Sequence, residues 1–215
     1  MKQHLLMVTL FMLIKVSCLL GQDTFVSMQI PDSIWQIMQG KSYKSNPYIN
    51  RTDLRYLKVM HWDYDQQPHQ GELICNKQIA DKLLDIFKEL YANHYPIQRI
   101  RLPDVYDADD ERQMRDNNTS CFCYRNVSGS KKLSLHARGL AIDINPLYNP
   151  YVRYRKDGSL IVQPSNAYKY ADRSKSYRYI IKKGDYCHQL FLRYGFKWGG
   201  DWKTMKDYQH FEYKQ

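Results

Sequence analysis

Apolar side chains recur at helical spacing between residues 76 and 92. They are Ile79, Leu83, Leu84, Ile86, Phe87 and Leu90, which share one face of a helix. Asn76 precedes them and is a suitable N-cap residue. The pattern therefore predicts the strongest helix of the chain here, capped by Asn76.

Shorter apolar runs, several of them bounded by turn residues, predict the other elements. Strands are expected at 57–62, 71–75, 97–102, 121–124, 140–144 and 208–213, with Pro103 ending the third. Helices are expected at 33–39 and 185–194, and 104–118 should be a polar loop with one helical turn. Strands and helices that do not alternate regularly predict an α+β fold, a small, mostly antiparallel sheet flanked by helices.

The first 22 residues have the pattern of a signal peptide. Lys2 supplies the positive charge and Leu5 to Ile14 form an apolar run, which is too short to span a bilayer. Cys18 offers an alternative, a lipoprotein signal with a lipid anchor, but Lys15 stands where such a motif favours leucine. Export to the periplasm, the cell envelope or the medium is the expectation.

The length of the mature chain is that of one domain with an N-terminal extension. We expect the extension at 23–52 and the domain at 53–215. Loss of Lys2 and Lys15 lowers the formal net charge from +10 to +8, so the chain stays basic. For an exported protein this charge favours envelope polyanions over nucleic acid.

Four cysteines, Cys75, Cys121, Cys123 and Cys187, remain after the signal segment. A bond between Cys121 and Cys123 would be strained, because alternate residues of a strand point the same way. Buried free thiols, or a bridge to Cys75 or Cys187, are the remaining states, and the sequence leaves the pairing open.

Two segments concentrate the residues that carry chemistry. In the first, Asp143 lies among Ala141, Ile142 and Ile144, and a charge in an apolar strand needs a partner or a metal. His136 lies seven residues earlier, and Gly139 between them permits a turn that would bring the two side chains together.

The second segment contains Asp207 and His210, three residues apart and able to face one point. His136, Asp143 and His210 would form a catalytic zinc site, since two histidines and one carboxylate leave one position open. Asp207 is then free to act as the base towards a water whose pKa the metal lowers towards ~7. Arg125 is the nearest cation in sequence that could stabilise an oxyanion.

The pattern Ser134-x-His136-x-x-Gly139-x-Ala141-x-Asp143, followed by Trp198-Gly199-Gly200-Asp201-Trp202 and Asp207-x-x-His210-Phe211, resembles the D-alanyl-D-alanine carboxypeptidase and L-alanyl-D-glutamate endopeptidase family. The resemblance extends from about Asp53 to Tyr213. It implies the fold shared with Hedgehog signalling domains, one Zn²⁺ on His136, Asp143 and His210, an acidic catalytic residue at Asp207 and a transition-state-stabilising arginine at Arg125.

Activity on the peptide stems of peptidoglycan follows from this resemblance. Many members carry Glu at the position of Asp207, whereas the endolysin-like branch often has Asp, so endopeptidase activity is favoured over dipeptidase activity. A noncatalytic wall-binding module or a Hedgehog-like module of the same fold is the alternative. The bond that is cut and the oligomeric state are not determined by the sequence.

Two further features leave alternatives open. Glu212 would share a face with His210 on an extended chain, so it is either a partner of that histidine or a surface carboxylate. Tyrosines mixed with arginines and lysines through 151–175 indicate either a groove for a glycopeptide or an insertion packed on the surface.

Overall fold

The computed structural model describes residues 24–127 and 129–214, so the predicted signal segment and Cys18 lie outside the described residues. The helices are α1 (Asp32–Met38), α2 (Ala80–Ala92), α3 (Asp110–Arg115), α4 (Tyr168–Ala171) and α5 (Tyr186–Arg193). The strands are β1 (Val26–Met28), β2 (Leu54–Trp62), β3 (Pro68–Asn76), β4 (Arg99–Ile100), β5 (Asn118–Thr119), β6 (Ala141–Asp143), β7 (Tyr151–Tyr154), β8 (Leu160–Gln163), β9 (Phe196–Trp198), β10 (Lys206–Asp207) and β11 (His210–Tyr213).

The predicted α+β class is confirmed, but the strands form several small sheets rather than one. Three antiparallel sheets have the orders β1-β2-β3, β10-β7-β8 and β6-β11-β9, and β4 pairs with β5 in parallel. Within the described ranges, each helix is too short or too polar to cross a membrane.

The main core lies between the β2–β3 hairpin and α2. The predicted apolar face of α2 is buried, with Leu83, Ile86 and Phe87 fully inaccessible, and it packs on Leu57 and Val59 of β2. Burial of each such side chain contributes roughly 1.5–3 kcal/mol, so this face explains why the segment is helical.

The segment before β2 packs on the domain. β1 pairs with β2, and Met38 of α1 is buried in a second core with Tyr56 and Phe122. The predicted division of the chain at residue 52 remains a prediction.

Helix α2 begins later than predicted, and Asn76 is not its cap. Asn76 is the last residue of β3, and its side-chain oxygen accepts a hydrogen bond from the backbone N–H of Gln78 at 3.0 Å in a turn before the helix. Ile79 occupies the N-cap position without a side-chain bond. The predicted helix at 185–194 is confirmed, and Asp185 caps it by accepting from the His188 backbone N–H.

The strand predicted at 121–124 is wrong. The backbone N–H groups of Phe122, Cys123 and Tyr124 donate to Ile74, His136 and Ser42 respectively, and these acceptors belong to three separate segments. The stretch therefore does not join a ladder, and an apolar run alone does not show whether a segment pairs as a strand.

The four cysteines described are all free and buried. Burial raises the pKa of Cys75, Cys121, Cys123 and Cys187. Neutral thiols in an apolar setting are inert, so these residues contribute packing rather than chemistry.

The tyrosine-rich region after β6 is built around the β7–β8 hairpin. Tyr148 packs edge-on or tilted against Tyr64, Tyr170 and Tyr179, and Tyr170 contacts Tyr177. These rings pack against one another. The packing supports the interpretation of this part of the region as an insertion packed on the domain surface.

Candidate metal centre and its surroundings

The first predicted ligand, His136, begins a 3₁₀ helix, His136–Arg138, that ends at Gly139. Gly139 has φ of +65°, and an added Cβ would lie 2.6 Å from the Asn76 backbone nitrogen. A side chain is therefore excluded both by the backbone conformation and by the close approach of β3. This turn directs His136 back towards β6, as the glycine predicted.

Asp143 and His210 are brought together by strand register. β6 and β11 are antiparallel, and these two residues are directly opposite each other. Directly opposed side chains lie on the same face of a sheet. His210 Nδ1 lies 3.0 Å from Asp143 Oδ1, and His136 Nε2 lies 3.2 Å from Asp143 Oδ2.

The three predicted ligands thus converge. One ligand atom from each of His136, Asp143 and His210 lies within 4.8 Å of the others, and all three residues are buried. In the part of the chain that the structure describes, no other group of three His, Cys, Asp or Glu residues comes together in this way.

An acceptor on the far side of each histidine ring fixes which nitrogen points away from the centre. His136 Nδ1 lies 2.7 Å from the carbonyl oxygen of Cys121, and His210 Nε2 lies 3.5 Å from Glu212 Oε2. A carbonyl or carboxylate accepts a proton, so each of these nitrogens carries the N–H. The other ring nitrogens, His136 Nε2 and His210 Nδ1, lie 3.2 Å apart and both face Asp143.

Glu212 is buried rather than displayed on the surface. Its carboxylate contacts His210 on one side and Lys214 on the other. Burial works to raise its pKa, but the hydrogen bonds with His210 and Lys214 prevail and lower the pKa of Glu212 to about 2. Glu212 is thus an ionised partner that orients His210.

The charged groups of the centre strongly influence one another's pKa values. Burial works to raise the pKa of Asp143, but the neighbouring His136 and His210 hold that pKa far below its usual value. Burial works to lower the pKa of His210, but hydrogen bonds to Asp143 and Glu212 raise it to about 10. A cation at this point would take the place of the proton on His210 Nδ1.

Asp207 lies beside the three ligands at the end of β10. Its Oδ1 is buried and has no hydrogen-bond partner among the described residues. Burial raises the pKa of Asp207 to about 6, and the charge of His210 counteracts that rise in part. A buried carboxylate oxygen without a partner is free to accept a proton from a bound molecule.

Gly199 allows the 3₁₀ helix Gly199–Asp201 to pack on Asp207. An added Cβ would meet the backbone oxygen of Asp207 at 2.6 Å and the Cβ of His210 at 3.2 Å. The ring of Trp202, just after this helix, lies 5.3 Å from that of His210. The Trp-Gly-Gly-Asp-Trp segment thus forms one wall of the centre.

Arg125 is close enough to the centre to interact electrostatically with Asp143. Its Nη2 donates to Asp110 Oδ1 at 2.9 Å, whereas its Nε is buried and has no partner among the described residues. Asp110 belongs to α3, so this helix holds the guanidinium in place. The unpaired Nε leaves one donor for a bound group.

The donor set suits a zinc ion. Two imidazole nitrogens and one carboxylate, with the ring orientations already fixed, match three ligands of a tetrahedral site whose fourth position is open. The same set also accommodates related divalent ions.

A family model described as D-alanyl-D-alanine carboxypeptidase matches residues 128–213. The resemblance inferred from the sequence is thereby confirmed for this segment, and the match supports a peptidase activity for the chain. The family match includes His136, Asp143, Asp207 and His210 and begins just after Arg125. Comparison with curated proteins and with solved structures gave no match.

The sequence did not reveal several groups around the candidate centre. The Cys121 carbonyl orients His136, but backbone groups leave no trace in residue types. Tyr151 is directly opposite Asp207 because β7 pairs with β10, and the short β10 has no recognisable strand pattern. The Trp-Gly-Gly-Asp-Trp motif is visible in the sequence, but its contact with Asp207 is not.

Proposed function

We propose that the chain is an exported zinc metallopeptidase that hydrolyses a peptide bond in peptidoglycan stem peptides. The observation that carries the proposal is the convergence of His136 Nε2, Asp143 and His210 Nδ1, with the opposite nitrogen of each ring engaged. Three fixed ligands with an open position are typical of catalytic rather than structural metal sites.

His136, Asp143 and His210 would hold the metal. Bound there, zinc would supply Lewis acidity that polarises the scissile carbonyl and increases the acidity of a water molecule. The ionised Glu212 keeps the N–H of His210 on Nε2, and the Cys121 carbonyl does the same for Nδ1 of His136. Both histidines are thus oriented before a ligand arrives.

Asp207 is the general base in this proposal. Its unpartnered Oδ1 removes a proton as the water oxygen bonds to the carbonyl carbon. The same carboxyl group then returns the proton to the amine nitrogen as the C–N bond breaks, which leaves a carboxylate and an amine. Arg125, through its free Nε, would stabilise the negative charge that develops on the carbonyl oxygen.

Two substrate types are consistent with the family. The family description points to a D-Ala-D-Ala bond, whereas Asp at position 207 favours an L-Ala-D-Glu endopeptidase. Export would follow from the signal-like residues 1–22 and would bring the enzyme to the wall, in the periplasm or the cell envelope.

Digestion of purified peptidoglycan and defined stem peptides, with products identified by mass spectrometry, tests the proposal. We expect cleavage by the wild-type chain, loss of cleavage with a chelator and recovery on addition of Zn²⁺. The product masses identify the bond.

Asp207→Ala should lose turnover by about 10²–10⁴-fold while retaining one zinc per chain. Asp201→Asn is the matched control, because Asp201 is an exposed neighbour that pairs with Lys183. A chain that binds zinc but cleaves no stem peptide would instead be a noncatalytic module of the same fold.

A further inference from the structure

The β7–β8 hairpin presents one face towards the candidate base. Asp207 of β10 lies directly opposite Tyr151 of β7 in an antiparallel pair, so their side chains share a face. Lys206 lies opposite Val152, and Val152 is buried on the other face against Val162 and Tyr170. Side chains alternate along a strand, which places Arg153 on the same face as Tyr151 and Asp207.

Contacts along this face link the three residues. Tyr151 interacts electrostatically with both Asp207 and Arg153. The Tyr151 hydroxyl also donates to the sulfur of Met205 at 3.4 Å. Tyr151 therefore positions the Arg153 side chain relative to the base.

Arg153 carries an unneutralised charge. It is exposed and makes no ion pair with any acidic residue that the structure describes. Arg125, the other arginine near the centre, is paired with Asp110. The two cations beside the site thus differ, since Arg153 alone keeps its guanidinium fork open for an anion.

We propose that Arg153 binds a carboxylate of the substrate peptide, with Tyr151 as its positioning residue. This inference rests on the proposed peptidase function. Neighbouring strands are ~4.8 Å apart and alternate residues ~6.7 Å apart, so Arg153 lies diagonally from Asp207. An extended peptide advances ~3.3 Å per residue, which puts the bound carboxylate within about two residues of the scissile bond.

A matched pair of peptides tests the inference. The first is a stem peptide whose scissile amide is replaced by a reduced, noncleavable bond and whose neighbouring carboxylate is free. The second is identical except that this carboxylate is converted to the primary amide. Binding of both peptides to the zinc-loaded chain is measured by calorimetry, and turnover of their cleavable versions is measured in parallel.

Wild type should bind the acid about 10–100-fold more tightly than the amide, as expected for a charge-assisted bidentate pair. Arg153→Gln should abolish that preference by weakening acid binding, with amide binding unchanged. Arg155→Gln is the control, because Arg155 is an exposed arginine that bonds to Ser159 in the same hairpin turn. It should leave the preference intact.

The outcomes separate the two proposals. Equal affinity of wild type for acid and amide, or the same loss in both arginine variants, would overturn the role of Arg153. Selective acid binding that depends on Arg153, without turnover of any cleavable peptide, would support the carboxylate site and overturn the peptidase function.

Discussion

Among the described residues, two clusters of two histidines and one aspartate can be compared, and only the first brings its ligand atoms together. In the first, both oxygens of Asp143 face ring nitrogens of His136 and His210 that are turned towards one point. The second cluster, His61, Asp63 and His69, lies at the turn between β2 and β3.

The polar atoms of the second cluster already bond to neighbouring groups of the protein. Asp63 Oδ1 accepts from the backbone N–H groups of Asp65 and Gln67, and Oδ2 pairs with His69 Nε2 at 2.7 Å. His61 Nδ1 bonds to the Ile97 carbonyl, and burial lowers the pKa of His61 to about 4. The same residue types therefore make a turn in one place and a candidate metal centre in another.

The difference lies in the direction of the ligand atoms and not in composition. Around His136 and His210, backbone and carboxylate acceptors take the N–H groups and leave three ligand atoms turned inward. Around Asp63, the chain itself supplies the donors that a metal would replace. A ligand count from sequence does not distinguish these arrangements, because it ignores the acceptor behind each ring.

Loss of a ligand should have the largest effect. We expect His136→Ala to remove stoichiometric zinc and reduce hydrolysis to background, because two ligands cannot hold a catalytic ion in place. His69→Ala is the control from the second cluster and should keep one zinc per chain and wild-type turnover. Atomic spectroscopy measures the zinc content of both variants, and a peptide hydrolysis assay measures their turnover. Loss of zinc in His69→Ala would contradict the distinction between the two clusters.

The second largest effect should come from Arg125, the arginine beside the candidate metal centre, and not from Arg99, the arginine beside the second cluster. Arg125→Ala should lower kcat by about 10²–10³-fold with little effect on zinc content, since it removes a donor to the developing oxyanion. Arg99 lines the cavity beside the second cluster and pairs with Asp116, so Arg99→Ala should leave kcat unchanged. Thermal melts of both variants would show whether a loss of kcat reflects unfolding instead.

A smaller effect is expected at the acceptor behind His210. Glu212→Gln retains the shape but weakens the acceptor for the Nε2–H, which should lower zinc affinity about 10–100-fold. Competition with a chelating dye measures that affinity. Asp63→Asn, which weakens the partner of His69, should leave it unchanged, and an equal loss in both variants would refute the orienting role of Glu212.

The pH profile should show the mildest change. A general base must be ionised, and the pKa of Asp207 is raised to about 6 by burial. Activity is therefore present above that pKa and lost as pH falls through it. A bound cation lowers the pKa of a neighbouring carboxylate, so we expect the acidic limb of kcat/KM at or below pH 6. A limb well above pH 6 would argue against Asp207 as the base.

Much of the candidate site was predictable from the residues. Asp143 is a clear candidate because a charge inside an apolar strand needs a partner. His136 and Asp143 would lie on opposite faces of an unbroken strand, and Gly139 indicates the turn that brings their side chains together. Helix α2 and the β2–β3 hairpin followed from periodicity. These features depend on neighbours close in sequence, where pattern and structure are directly related.

Long-range pairing was not predictable. Residues 121–124 have an apolar strand pattern, but their N–H groups bond to three different segments. The pairing of β10 with β7 joins two stretches more than fifty residues apart, and β10 is only Lys206–Asp207. Neither its length nor its residue types predict a strand, so the position of Tyr151 beside Asp207 emerged only from the tertiary structure.

The chain between Asp207 and His210 crosses from one sheet to another. Asp207 belongs to the sheet of the β7–β8 hairpin, and His210 belongs to the sheet that also holds Asp143. In the proposed mechanism, the residues that hold the metal and the residue that transfers the proton thus belong to separate sheets joined by two residues. Substitutions in the β7–β8 hairpin could therefore change the surroundings of Asp207 and the substrate specificity without altering the metal ligands. Replacing the whole hairpin by design should likewise leave those ligands in place.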